Sequence, residues 1–218
     1  MTFLYIFLGL FSAIVLVTLL LLVVRGSSKR RNSKTSGHPP FSVKVPSCHV
    51  CGRPGNLGEA RVSVAFGHLL GPDDYIFNNV VIRYPDGGYC QIDHVVICSK
   101  GILVIETKDW HGEVRADCAK DKTWSHFHPD GTLTEDEISP VFQNRNHIQY
   151  LKKQLKAEKM DFYSMVIFIN DIDLQLENND NVILLRELSE TYQSLPDTIP
   201  LALDTKNILV HQLLMLAD

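Results

Sequence analysis

Asp93, Glu106 and Lys108 are the residues whose types and spacing could do chemistry. All three lie in one mostly apolar stretch from Gln91 to Trp110, QIDHVVICSKGILVIETKDW. Acids and an ammonium among valines and isoleucines cost on the order of several kcal/mol unless they pair or hold a metal. Two carboxylates brought close repel each other unless a cation lies between them. Such oxygen ligands suit Mg²⁺ or Mn²⁺, which keep several waters and accept one or two protein carboxylates plus a phosphate oxygen. A lysine beside the ion can orient or polarise an attacking water and offset charge building up on the phosphate. The competing reading is a salt-bridged hairpin, with Glu106 and Lys108 as solvent-facing charges near a strand end. The flanking VVIC and ILVI, apolar on both faces, read as central strand and favour a site.

The elements that must position these groups follow from the pattern around them. Val80 to Tyr84 reads as a strand ending at the turn Pro85-Asp-Gly-Gly88. Tyr89 to Cys98 is a second strand, Ser99-Lys-Gly101 a turn, and Ile102 to Lys108 a third strand. With a two-residue loop at Ser99-Lys100, facing residues have numbers summing to 199. Asp93 then lies opposite Glu106, with Cβ atoms about 5 Å apart. With the loop at Lys100-Gly101 the sum is 201, and Asp93 faces Lys108 instead. In either register, alternation puts all three on one face.

Upstream, Asn56-Leu-Gly-Glu59 opens a helix whose Val62, Ala65, Phe66 and Leu69 fall at helical spacing. Asn56 as N-cap with Glu59 three residues on makes a capping box. The same Glu59 could instead point at Asp93. Downstream, Trp124, His126 and His128 stand among polar residues beside a Pro-Asp-Gly turn, which reads as hairpin surface rather than a metal site. Ser139-Pro140 starts a helix as cap and N1 proline. Its inner stripe is Val141, Asn144, Ile148, Leu151 and Leu155, with Gln143, His147, Tyr150 and Gln154 beside it. Lys152, Lys153, Lys156 and Lys159 form either a backbone-contacting ridge or a solvated face. Phe162 to Ile169 and Val182 to Leu185 read as strands joined by an acidic loop. Asn207 to Leu216 reads as a helix with Ile208, Leu209, Leu213 and Leu216 inward.

With these motifs in order, the chain resembles the nuclease-related domain (NERD) family within the PD-(D/E)xK nucleases. The resemblance rests on Gly58-Glu59-Ala60, Gln91-Ile-Asp93-His, Glu106-Thr-Lys108-Asp-Trp110-His-Gly112 and Pro140-Val-Phe-Gln143-Asn144-Arg-Asn-His147. Ile92 stands where the superfamily's proline usually precedes the first acid. The resemblance implies that Asp93 and Glu106 are metal ligands and Lys108 catalytic, with Glu59 an accessory acid and Gln143, with His147 beside it, at the edge of the site.

The N-terminus adds a second theme. From Thr2 to Val24 there is no charged residue, and some 20 apolar residues are enough to cross a bilayer core. Arg25, Lys29, Arg30, Arg31 and Lys34 follow the run rather than precede it, which favours an anchor over a cleaved signal and a cytoplasmic C-terminal side. The expected division is residues 1–25 as anchor, 26–55 as a flexible basic linker with a CxxC, and 56–218 as the nuclease-like domain. Cys48 and Cys51 supply half of a zinc site with no second half nearby, so zinc is not expected there. Five cysteines in no disulfide framework suit a reducing compartment. A net charge of −4 gives no global sign of a polyanion partner, although a basic surface could be local.

The expectation is an α/β protein of restriction-endonuclease type, with a mixed central sheet flanked by helices and one N-terminal transmembrane helix. It would be a single-pass protein of the inner membrane with its soluble domain in the cytoplasm, hydrolysing phosphodiester bonds with Mg²⁺ (or Mn²⁺). Its partner would be nucleic acid, DNA ahead of RNA. The alternative is a non-catalytic module at the membrane, binding nucleic acid or protein on the same fold.

Overall fold

The computed structural model describes residues 49–216 apart from Pro85, Asp180 and 197–200. Among these residues no helix is long and apolar enough to cross a membrane. The expected anchor, the basic stretch after it and Cys48 lie outside them.

Strands β1 (His49–Cys51), β2 (Tyr75–Arg83), β3 (Tyr89–Cys98) and β4 (Gly101–Lys108) lie side by side, joined by β8 (Phe162–Phe168) and β10 (Val182–Leu184). The β2–β3–β4 meander is antiparallel, whereas β1, β8 and β10 each run parallel to their neighbour. Such a mixed sheet buries both faces, which explains the unbroken apolar runs VVIC and ILVI. On one face Leu103, Ile105, Met165 and Ile167 pack against Val62 and Phe66 of helix α1 (Leu57–Gly67). The other face carries Ile97, Ile102 and Val104. These pack against Leu151 and Leu155 around helix α2 (Pro140–Gln154) and Leu209 and Leu213 of helix α4 (Leu203–Leu214). Helix α3 (Leu188–Ser194) adds Leu188 and Tyr192 to the first face.

A second sheet was not foreseen. Strands β5 (Glu113–Ala116), β6 (Thr123–Phe127), β7 (Leu133–Ile138) and β9 (Asp173–Leu176) form it in the order β7-β6-β5-β9. Its Val114 and Trp124 pack on Val166 and Phe168 of β8, so it covers the part of the main sheet that α2 leaves bare. The polar stretch expected to be hairpin surface is therefore a wall of the domain. The acidic loop after β8 contains a strand, β9.

Other boundaries moved. His49–Cys51, expected to be linker, pairs with Tyr75–Phe77 as an edge strand. The second β-strand begins at Tyr75 rather than Val80. In α4 Ile208 is 60% exposed, and Val210 takes the inward position assigned to it.

Candidate functional site

The β3–β4 register has the sum 199: His94 pairs with Ile105 and Cys98 with Gly101, across a Ser99-Lys100 turn. This is the first of the two expected registers. Its ladder nevertheless stops one step short of Asp93 and Glu106. The β2–β3 ladder also skips Asp93, running from Asn78–His94 to Val80–Ile92. The residue across the gap, Asn79, has a φ of 55°, a left-handed conformation that asparagine tolerates better than most residues. The break resets the alternation: Phe77 and Val80, like Val95 and Ile92, belong to the same core face although three residues apart. Strict period-2 alternation therefore fails at Asp93. Freed from both ladders, its carboxylate accepts a hydrogen bond from the Thr107 amide at 2.8 Å.

Neighbouring side chains hold the break open. Asn79 accepts from the Gln91 amide and donates to the Arg53 carbonyl. His94 meets the Asn78 oxygen through Nδ1 at 2.7 Å. Burial drives the His94 pKa down to about 3, so the ring is neutral and donates from Nδ1. Gln91 and His94 thus shape the strands around the acid between them.

Glu106 and Lys108 lie two apart on β4, on the face that α2 covers. The Lys108 ammonium is 2.7 Å from Glu106 Oε1 and 3.3 Å from Gln143 Oε1. Glu106 is 3% exposed, and its Oε2 has no hydrogen-bond partner. His147 Nδ1 lies 3.7 Å from that oxygen, beyond hydrogen-bond length. Burial, and secondarily the charge of Lys108, lowers the His147 pKa to about 4, so this ring is neutral and does not neutralise the acid. Burial raises the Glu106 pKa in spite of Lys108. Asp93 is pushed up to about 7, first by burial and then by the charge of Glu106, with Glu59 adding to it. The cluster holds three acids beside one ammonium, and burial together with this crowding of acids raises Asp93 and Glu106.

Glu59 supports the helix cap and lies close enough to the strand acids to act on their charge. Asn56 caps α1, its side-chain oxygen accepting from the Glu59 amide at 2.9 Å. The Glu59 carboxylate reaches back to Gly55 N at 2.5 Å and Asn56 Nδ2 at 2.7 Å. It is a cap by hydrogen bonding. It is also only 5% exposed, and its charge bears on both Asp93 and Glu106. Gly58 lies in close contact with the residue that follows β8, since a Cβ there would stand 2.6 Å from Ile169 Cδ1, and a larger residue would push that side chain aside.

Asn144 carries weight that periodicity alone hid behind an inner-stripe position. Its fully buried Nδ2 lies 2.7 Å from Val104 O, 3.0 Å from Ser164 Oγ and 3.3 Å from Met165 O, its two hydrogens shared among the three acceptors. It fixes α2 over the β4–β8 seam and so aims Gln143 and His147 at Glu106. A buried Asn one residue from Gln143 was the available signal, since asparagine rarely enters a core without a bonding task.

The model of the "Nuclease-related domain" family matches residues 54–169, more than half of the chain. The chain belongs to the nuclease-related domain family. This family is part of the PD-(D/E)xK-like nuclease superfamily. An "uncharacterized protein pXO1-01" of Bacillus anthracis is similar at 26% identity over 172 residues, covering 76% of this chain and 78% of that protein. No solved structure matches. The NERD match spans α1 through β8 and so takes in Glu59, Asp93, Glu106, Lys108, Gln143 and His147.

Among the described residues no three His, Cys, Asp or Glu side chains converge as a ready ligand set. What is present is a pair of carboxylates with one orphaned oxygen, Glu106 Oε2, and excess negative charge. That fits an ion which keeps most of its shell as water and phosphate, Mg²⁺ or Mn²⁺, better than one needing a full protein cage. Cys51, Cys90, Cys98 and Cys118 are free thiols.

Proposed function

We propose that the protein is a divalent-metal-dependent nuclease, hydrolysing phosphodiester bonds of nucleic acid, DNA ahead of RNA, and held at the inner membrane by residues 1–25. The observation that carries this reading is the acidic excess at Asp93 and Glu106 beside the Lys108 ammonium, within a family of nuclease-related domains. Asp93 and Glu106 would hold Mg²⁺ or Mn²⁺, which supplies Lewis acidity and a more acidic bound water. Lys108, steadied by Gln143 Oε1, offers its ammonium to the oxygens of the scissile phosphate, where negative charge grows in the transition state. The Thr107 amide keeps Asp93 turned toward Glu106. Neutral His147 walls the site without competing for the acids. Glu59 adds negative charge behind them, which strengthens cation capture.

The Lys108–Glu106 contact itself favours a second reading: an ammonium already seated on the acid is what a binding module without catalysis would keep. One experiment separates them. The full chain in detergent micelles is incubated with labelled single- and double-stranded DNA and RNA, with Mg²⁺, Mn²⁺ or EDTA. Metal-dependent cutting that disappears in Asp93→Ala and Lys108→Ala supports the nuclease. Binding without cutting under every condition overturns it in favour of the module.

A further inference from the structure

Next to Lys108, outside the residues given a role so far, is a pocket of about 430 Å³ lined by Trp110, His126, His128 and Pro129 and by the carboxylates Asp109 and Glu137. The Trp110 and His126 rings are stacked, with centroids 4.8 Å apart and planes within 13°. His128 follows with its centroid 4.0 Å from that of His126, its plane tilted by 43°, so that two stacked rings are flanked by a third at an angle. Their places are set in advance. Phe168 meets Trp110 edge-on at 5.8 Å, His126 Nε2 bonds His111 O at 2.8 Å, and His128 Nε2 meets Thr134 Oγ1 at 2.8 Å. Gly112 makes the layout possible: its φ is 97°, and a Cβ there would stand 2.1 Å from Phe127 O.

The position and chemistry of the pocket identify its occupant. The Lys108 ammonium lies 5.6 Å from the Trp110 centroid, so the pocket begins one ring away from the proposed phosphate site. Asp109 and Glu137 repel a phosphate but accept the N–H groups of a heterocycle. Preset rings stack on any base, because every base has a π-face. A base inside a duplex is already stacked and turns its edge, not its face, outward.

We propose that this pocket captures one unstacked base of a single-stranded nucleic acid, next to the phosphate at Asp93, Glu106 and Lys108. This rests on the nuclease reading for its substrate, but its test does not need cutting. The chain has two tryptophans, and Trp124 is 2% exposed, so quenching by a bound base reports Trp110. The full chain in micelles, with EDTA, is titrated with a short single-stranded DNA and with its duplex. The single strand should quench saturably and the duplex should not. Trp110→Ala should weaken single-strand binding about tenfold or more, since a stacked base contributes ~1–3 kcal/mol. His128→Ala should weaken it several-fold, and carries the test if circular dichroism shows Trp110→Ala misfolded. No single-strand binding, binding without quenching, equal quenching by duplex, or wild-type affinity in the folded variants overturns the proposal. Wild-type cutting with Mn²⁺ is followed in parallel: its absence would sink the hydrolysis alone, and the EDTA titration would still decide the pocket.

Discussion

Two lysine–carboxylate pairs in this protein have the same 2.7 Å contact and opposite characters. Lys206 in α4 meets Asp74, just before β2, with both side chains 8% exposed. Asp74 Oδ2 also accepts from Gly71 N at 2.8 Å, and Lys206 Nζ lies 3.4 Å from Asp73 O. Charge is matched there, and the remaining polar capacity is used. The Lys108–Glu106 pair is left incomplete: Glu106 Oε2 has no partner, and Asp93 and Glu59 add negative charge that one ammonium does not balance. A buried pair with its bonds complete is a fastener. One with an orphaned oxygen and surplus acids is what the proposed metal site would need.

The sharpest break in this comparison comes from removing each lysine. Lys108→Ala should lower single-turnover cutting by a hundredfold or more, the order seen when a transition-state charge stabiliser is lost, and cost less in urea unfolding than the loss of Lys206, because the raised pKa of Glu106 lets the stranded acid take up a proton. Lys206→Ala should cost about 3–5 kcal/mol in urea unfolding, because it strands a buried carboxylate, and leave the chemistry of the folded fraction intact. Equal losses of stability in both variants would erase the distinction. Next in size, Asn144→Ala should lose about 2–3 kcal/mol of unfolding free energy, because it removes the two amide hydrogens shared among buried acceptors of β4 and β8, and lower cutting by loosening Gln143 and His147.

pH gives a third lever. Divalent cations compete with protons for Asp93, so Mn²⁺ affinity in the wild type should rise as pH increases through about 7, and this rise should flatten in Asp93→Asn. Stability without metal follows opposite slopes. Asp93, raised to about 7, contributes stability that is complete below the usual carboxylate range and is lost as pH rises to 7. His147 and His94, lowered to about 4 and about 3, contribute stability that is complete above the usual imidazole pKa and is lost as pH falls through the acid range. Between pH 4 and 7 the two trends oppose each other. Urea midpoints in EDTA should therefore fall more steeply on acidification in Asp93→Asn than in the wild type. The smallest effect is expected of Glu59→Gln: loss of about 1 kcal/mol from the cap and a modest downward move of the pH at which Mn²⁺ binds, since one charge raising Asp93 is gone.

Much of this was legible beforehand, and the comparison shows why the rest was not. The hairpin was readable because register in a two-residue turn is arithmetic, and apolar runs on both faces locate a central strand. Asn56 and Ser139 announced their helices because capping is local chemistry. The Asp74–Lys206 pair could not be read, because its partners are 132 residues apart and nothing local couples them. The second sheet escaped for a related reason: β9 pairs with β5 across some sixty residues, and four-residue strands carry too little periodicity to stand out.

From its sequence alone, then, the chain determined which residues form the acid–acid–lysine set, that Asp93 approaches Glu106 or Lys108 across a tight turn, and that Glu59 begins the helix preceding them. These are consequences of bonding patterns a few residues long. Tertiary structure decided that Asp93 leaves both ladders at a left-handed Asn79, that Asn144 aims Gln143 at Lys108, and that Glu106 keeps an unpaired oxygen. Each depends on which distant surfaces exclude water around a side chain, and burial of that kind exists only once the layers have packed.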